Sequence, residues 1–420
     1  MGAGRLDPDD GACSVQLCGH VQRGRLSPVS DPVVTLGCRL NLAESEAIRA
    51  MVAGAERRTV VVNSCAVTAE AVRQSRRAVR RLRAANPDSR LLVTGCAATI
   101  DPDEFIAMPE VDGVVANAAK LEAAAWQARP APRPAPPTRH TRAFVPVQTG
   151  CDHACTFCII PEGRGKSVSQ PIVDVLRVVE GHLQADAREV VLTGVDVTGW
   201  GADLPGSPRL GDLVAAILRA FPALPRLRLS SLDGVEIDGL LFELITGEAR
   251  VMPHVHLSLQ AGHDLTLKRM KRRHTRAEAV SLSERLRAAR PEIAIGADLI
   301  AGFPTEDDAM HAANVAIVAD CGIVHGHVFP YSPRPGTPAA RMPQVPPPLV
   351  RERAAEVRAA VAATRARWLE GLIGQTREVL AERDGTGHSP EFAPYRLPEG
   401  TAPGEIVSLT PTRIREGLLE

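Results

Sequence analysis

The chain has 420 residues, of which 45% are hydrophobic and 23% charged, with 49 basic side chains against 49 acidic ones. That length predicts two to four domains, and zero net charge excludes a protein that holds nucleic acid by bulk electrostatics, leaving only local basic patches for that purpose. No apolar run approaches the roughly 18 residues of a membrane helix, and the first 30 residues lack the apolar stretch of a secretory signal. The expectation is a cytoplasmic protein without membrane contact, whose nine cysteines stay reduced and serve metal binding or chemistry rather than disulfides.

Residues 1–30 carry Cys13 and Cys18 in "CSVQLCGH" and read as a disordered extension. From 31 to 127, short β-branched runs alternate with helical patterns. "PVVTLG", "RTVVVNS" and "RLLVTG" predict buried parallel strands, and "NLAESEAIRAMVAG" and "AEAVRQSRRAVRRLRAAN" the helices between them. Cys38 follows the first strand, Cys65 the second and Cys96 the third. In an open parallel sheet the loops after the strands share one edge, so three cysteines distant in sequence converge there. The alternative is three separate small core residues, since free cysteine is often buried.

The segment 128–140, "ARPAPRPAPPTRH", reads as a proline-rich linker. Beyond it, from 141 to 370, strand patterns "AFVPVQTG", "REVVLTGV", "RLRLSSL", "HVHLSLQ", "IAIGADLIAGFP" and "VHGHVFPYS" alternate with helical ones. About six βα units predict a full or partial α/β barrel of the TIM type, with its site at the carboxyl ends of the strands. The last stretch, 371–420, has short strand patterns broken by Gly and Pro and predicts a small β-barrel. The fold class is α/β: an open parallel layer, a partial (β/α)6 barrel and a small terminal β-barrel.

Just after the opening barrel strand stands "GCDHACTFC", which places Cys151, Cys155 and Cys158 within eight positions and supplies no fourth cysteine. Structural zinc takes four ligands, commonly as two separated C-x2-C pairs, and His153 sits too tightly between two cysteines to complete a tetrahedron with both. Three thiolates can instead hold three irons of a 4Fe-4S cube and leave the fourth iron open. Two basic groups complete the inventory. Arg73, Arg76, Arg77, Arg80 and Arg81 form one stripe at helical spacing, and "LKRMKRRHTR" contains Lys268, Lys271, Arg272 and Arg273. Each fits RNA phosphates, and the stripe fits a plain solvated helix face equally well.

With Phe157 before Cys158, the C-x3-C-x-aromatic-C pattern resembles the signature of radical S-adenosylmethionine (SAM) enzymes. "TLGCRLNLAESE", "VVNSCAVTAEA", "VTGCAA", "CTFCIIPEGRGKSVS", "HLSLQAGHDLTLKRMKRRHT" and "DLIAGFPTED" extend the resemblance to methylthiotransferases over nearly the whole chain. "FPYSPRPGTPAARMPQVP" is most similar to the branch acting on threonylcarbamoyladenosine in tRNA, and the last fifty residues resemble an RNA-binding TRAM domain. Gln170, where the family often has arginine, and "GFPTED" depart from the pattern.

The resemblance implies two 4Fe-4S clusters, one on Cys151, Cys155 and Cys158 that chelates SAM, the other on Cys38, Cys65 and Cys96. It implies contacts to SAM from Phe157, Thr193, Gly194, Asp196, Ser230, Gln260, Asp298 and Gly302. It further implies a monomer acting on tRNA with a reduced flavodoxin or ferredoxin as electron donor, adding a methylthio group at adenosine C2. The sulfur donor is not specified. The same chemistry on isopentenyladenosine or a ribosomal protein is the near alternative, and a non-catalytic zinc protein that binds RNA the distant one.

Overall fold

The protein is described from a computed structural model covering residues 31–128 and 141–420. The extension 1–30, with Cys13 and Cys18, and all but the first residue of the linker lie outside the described residues.

The first layer is a four-stranded sheet whose strands, Val33–Thr35, Thr59–Ser64, Arg90–Gly95 and Gly113–Val114, pair parallel in sequence order. All six residues of Thr59–Ser64 are buried, as a parallel strand covered on both faces requires. The helix Ala69–Ala85 starts where the Thr68 hydroxyl accepts from Ala71 N at 3.1 Å, and it buries Ser75, Ala78, Val79 and Leu82 at i, i+3, i+4, i+7 spacing. Cys38, Cys65 and Cys96 all follow strand ends on the same edge, as the strand patterns predict.

The second layer is an open barrel. Arg142–Pro146, Glu189–Thr193 and Arg226–Leu229 form one parallel sheet; Ser231–Leu232, His254–Gln260, Ala294–Ala301 and Ile323–Pro330 form the next. The chain passes between them at Ser230, and a bridge from Leu227 to Val251 joins their walls. Along Arg142–Pro146 the alternate residues Ala143 and Val145 are buried under the outer helices, while Arg142 and Phe144 are only half-buried. This period of two separates an apolar outer core from an inner face that carries polar groups. Helices Ile172–Gln184, Leu210–Ala220, Arg276–Ala289, Asp308–Cys321 and Pro347–Glu370 supply the cover. Cys321 is fully buried in this core, as its helical setting implies.

After the long helix come six short strands in one sheet, in the order Ile406–Leu409, Arg377–Ala381, Thr386–His388, Pro394–Arg396, Leu418–Leu419, Ile414–Arg415. Its core holds Val379, Tyr395 and Leu419. Phe392 and Tyr395 are both buried. No helix among the described residues is long and apolar enough to cross a membrane.

Candidate iron-sulfur and cofactor site

The three-cysteine loop is held in place from two sides. Gln148, in the strand residues just before it, gives its side-chain amide to Gly150 O at 2.7 Å and to Ser167 Oγ at 2.9 Å. Its Oε1 accepts from Val195 N and Asp196 N at 3.2 and 2.9 Å, tying the loop after Glu189–Thr193 to the cysteine loop. On the other side Thr156 N donates to Met270 O at 3.1 Å and its hydroxyl to Arg269 O at 2.8 Å. Phe157 packs edge-on against Phe303, with ring centroids 6.4 Å apart.

None of the seven described cysteines is in a disulfide. Two of the loop thiols, Cys151 and Cys158, resist ionisation. Burial pushes Cys151 up to about 12 and Cys158 up to about 11, so neither ionises alone near neutral pH. Yet polar donors point at the sulfurs: Ile160 N lies 3.4 Å from Cys158 Sγ, and Arg272 Nη1 lies 3.6 Å from Cys155 Sγ. N–H groups aimed at two of the three thiols fit a cluster's ligands, whose sulfurs are stabilised by such hydrogen bonds. His153 reaches Asp196, Nε2 to Oδ2 3.0 Å, a contact that raises its pKa, and it stays within 4.8 Å of the Cys151 thiol.

The second set of thiols lies across one short helix. Ile160–Arg164 directly follows Cys158 and packs on Cys96–Ile100, where a Cβ on Gly163 would stand 3.1 Å from Cys96 Cβ. Gly37, next to Cys38, would clash with Cys65 Sγ at 2.8 Å if it bore a Cβ; with φ at +94° it must be glycine on both counts. Asn117 Nδ2 reaches Cys96 Sγ at 3.7 Å. Arg164 lies near Cys38 and Cys96, and Cys158 near Cys96, so the two thiol sets are neighbours.

Arg164 is fixed by a buried charge network that sequence patterns do not disclose. Its guanidinium takes Glu44 as a two-toothed partner at 3.0 Å on each arm, and Lys120 Nζ meets the same carboxylate at 2.5 Å. Burial alone would raise Glu44, but Lys120 and Arg164 beside it hold it below the usual carboxylate range.

The remaining expected contacts divide. Thr193, Gly194, Asp196 and Ser230 sit together at the strand ends; Ser230 Oγ is buried with no hydrogen-bond partner among the described residues. Gln260 closes its strand in the left-handed region at φ 72°. Asp298 lies deeper, where His256 Nε2 at 3.0 Å and His327 Nδ1 at 2.9 Å both reach its Oδ1. Burial opposes its charge, but these two imidazoles hold it far below the usual carboxylate range. An ionised carboxylate only accepts, so both ring nitrogens are N–H donors. At Gly302, expected to contact SAM, the close neighbour in the structure is protein: a Cβ there would meet Val350 at 2.8–2.9 Å.

The basic groups are less free than their spacing suggests. Arg73 and Arg77 pair with Glu70, Arg76 with Glu104 and Arg80 with Glu110. Lys268 and Lys271 are exposed. Arg272 is turned inward onto Asp233 Oδ2 at 3.0 Å and Ser258 O at 2.7 Å, and Arg273 shares Asp233 and Glu236. Buried and triply engaged, Arg272 cannot also face a phosphate; its partner is the cysteine loop.

Residues 145–315 match the Radical SAM superfamily and residues 32–116 the Uncharacterized protein family UPF0004. The fold resembles that of the radical S-adenosylmethionine methyltransferase TsrM from Kitasatospora setae, with a TM-score of 0.50 at 16% identity, covering 68% of this chain and 66%, just under two thirds, of that one. These point to one class, that of radical SAM proteins. The chain is 43% identical over 405 residues to the threonylcarbamoyladenosine tRNA methylthiotransferase MtaB of Rickettsia prowazekii, spanning 92% of this chain and 96% of that one. It is 35% identical to a tRNA-2-methylthio-N(6)-dimethylallyladenosine synthase of Novosphingobium aromaticivorans, over 86% and 88% of the two chains. It belongs to the radical SAM methylthiotransferase family.

Arg272 supplies one prediction here. A reduced cluster carries one more negative charge, which the guanidinium near Cys155 favours. Arg272→Gln should therefore make the reduction potential more negative by on the order of 60 mV, the equivalent of one tenfold step for a single electron. A redox titration followed by electron paramagnetic resonance measures this; an unchanged potential would remove Arg272 from the site.

Proposed function

We propose that the enzyme replaces the C2 hydrogen of N6-threonylcarbamoyladenosine, beside the tRNA anticodon, with a methylthio group, using two 4Fe-4S clusters. The observation that carries this reading is the pair of three-thiol sets on either side of the helix Ile160–Arg164. Adenine C2 offers neither an acidic proton nor a leaving group, so side-chain acid-base or nucleophilic catalysis is poorly suited to it. The cluster on Cys151, Cys155 and Cys158 supplies one-electron cleavage of SAM to a carbon radical able to attack such a bond.

The chain's own residues do the rest. Cys38, Cys65 and Cys96 hold the second cluster, beside which sulfur is delivered. Gln148 and Thr156 fix the cysteine loop, and the Glu44 network fixes the wall between the two sites. Thr193, Gly194, Asp196, Ser230 and Gln260 line the mouth where SAM binds. The exposed Lys268 and Lys271 and the terminal sheet, read as a TRAM-like module, meet tRNA phosphates. We place the enzyme in the cytoplasm as a monomer fed by a reduced flavodoxin or ferredoxin.

Mass spectrometry of nucleosides from tRNA of a deletion strain tests the substrate. Loss of methylthio-threonylcarbamoyladenosine is expected, with the unmethylthiolated nucleoside accumulating. An unchanged peak, or loss of the methylthio-isopentenyl nucleoside instead, refutes the choice of substrate.

A further inference from the structure

The barrel's inner face is not apolar. Its lower part is closed by Phe392 of the terminal sheet, whose ring has Arg228 Cζ at 4.8 Å, Arg142 Cζ at 5.0 Å and Arg39 Cζ at 6.0 Å. Two of these arginines have carboxylates. Arg228 holds Glu189 at 2.7 and 3.2 Å, and Arg142 holds Glu382 at 2.8 Å.

Arg39 has none within ion-pair distance among the described residues, and its guanidinium also faces the Phe144 ring at 5.9 Å. The groups around it share the same want of a partner: Arg142 Nη1, Arg228 Nη1 and His256 Nδ1 are buried without a hydrogen bond among the described residues. Buried donors are ordinarily satisfied, and a group of unsatisfied ones marks where something else binds.

Space for it exists above the Phe392 floor. Asp298 and His327, on the inner wall, each keep 23% side-chain exposure although they stand in the barrel interior. Arg39 itself is only half-buried. It immediately follows Cys38, so it projects into the barrel from a ligand of the second thiol set.

We propose that Arg39 is the anion-binding residue of the substrate pocket and receives the carboxylate of the threonylcarbamoyl group while adenine C2 faces the second thiol set. This rests on the substrate reading above. The threonylcarbamoyl substituent ends in a carboxylate, whereas an isopentenyl group has nothing to neutralise an unpaired guanidinium. Arg39 thereby acts as a specificity residue: an apolar substituent would cover it and leave it unpaired, which costs more than a missing contact.

The test uses the anaerobically purified holoenzyme and two synthetic anticodon hairpins, one with threonylcarbamoyladenosine and one with its carboxamide analogue, which keeps the shape and removes the charge. Wild type should bind the carboxylate hairpin about 10- to 100-fold more tightly, the range expected for a hydrogen bond between charged groups. Arg39→Gln should erase that difference by weakening the carboxylate hairpin alone, and Arg39→Lys should recover part of it. Equal affinity of wild type for the two hairpins overturns the proposal, and so does an equal loss of both in Arg39→Gln, which would mark a structural role. Should Arg39→Gln fail to fold, the wild-type comparison decides by itself. A wild-type enzyme that methylthiolates an isopentenyladenosine hairpin in preference to the threonylcarbamoyl one refutes the substrate reading instead.

Discussion

Replacing Cys151, Cys155 and Cys158 together by alanine is expected to abolish reductive cleavage of SAM to 5′-deoxyadenosine, to background, while about four of about eight irons per chain remain. Replacing Cys38, Cys65 and Cys96 should remove the other half of the iron, leave SAM cleavage in place and end methylthio transfer. The asymmetry follows from the layout: one set of thiols follows the strands of the first sheet and the other sits in the loop that opens the barrel, with the helix Ile160–Arg164 packed on Cys96–Ile100. Iron analysis and product chromatography on the two triple variants read this directly. A second variant that still transfers the methylthio group, or a wild-type protein that purifies colourless with zinc, defeats the two-cluster reading.

The second large effect concerns stability. Glu44, Lys120 and Arg164 have side chains only 5%, 2% and 2% exposed, so Glu44→Ala strands two cations in a dry interior. Breaking a buried pair from one side costs about 3–5 kcal/mol, which corresponds to a fall in Tm of roughly 10 °C for a unit of this size. The same carboxylate sets an acid limit. Its folded pKa is depressed, so its stabilisation is complete above the unfolded value near 4.5 and is lost as pH falls through the lower folded value. Calorimetric scans should show the gap between wild type and Glu44→Ala closing as pH drops below about 4.5; a gap of constant size would mean that Glu44 acts through packing rather than charge.

Much of this architecture is legible in the sequence. The runs "TVVVNS" and "RLLVTG" each hold an unbroken apolar triplet because both faces of a parallel strand are covered, and their ends place Cys65 and Cys96 on one edge. What could not be read is charge that pairs over distance. Glu44 meets Lys120 across 76 positions and Arg164 across 120, and no periodicity links such residues. Arg272 illustrates the converse. In "LKRMKRRHTR" it looks like one basic residue among six, and only the fold shows that it points inward to Cys155 while Lys268 and Lys271 point out. Arg39 escaped notice for a similar reason, since a cation beside a cysteine carries no signal until its missing partner can be seen.

Phe392 connects the two ends of the molecule in a way that bears on how the chain can be divided. Its ring stacks on His388 at 4.3 Å and stands 5.4 and 5.8 Å from His254 and His325 of the barrel wall. The terminal sheet is thus a stopper as well as an appendage. Cutting the chain after the long helix would open the barrel from below and flood Arg228, His254 and His325 with water, so a shortened enzyme would differ in the depth of its pocket and not only in its hold on RNA.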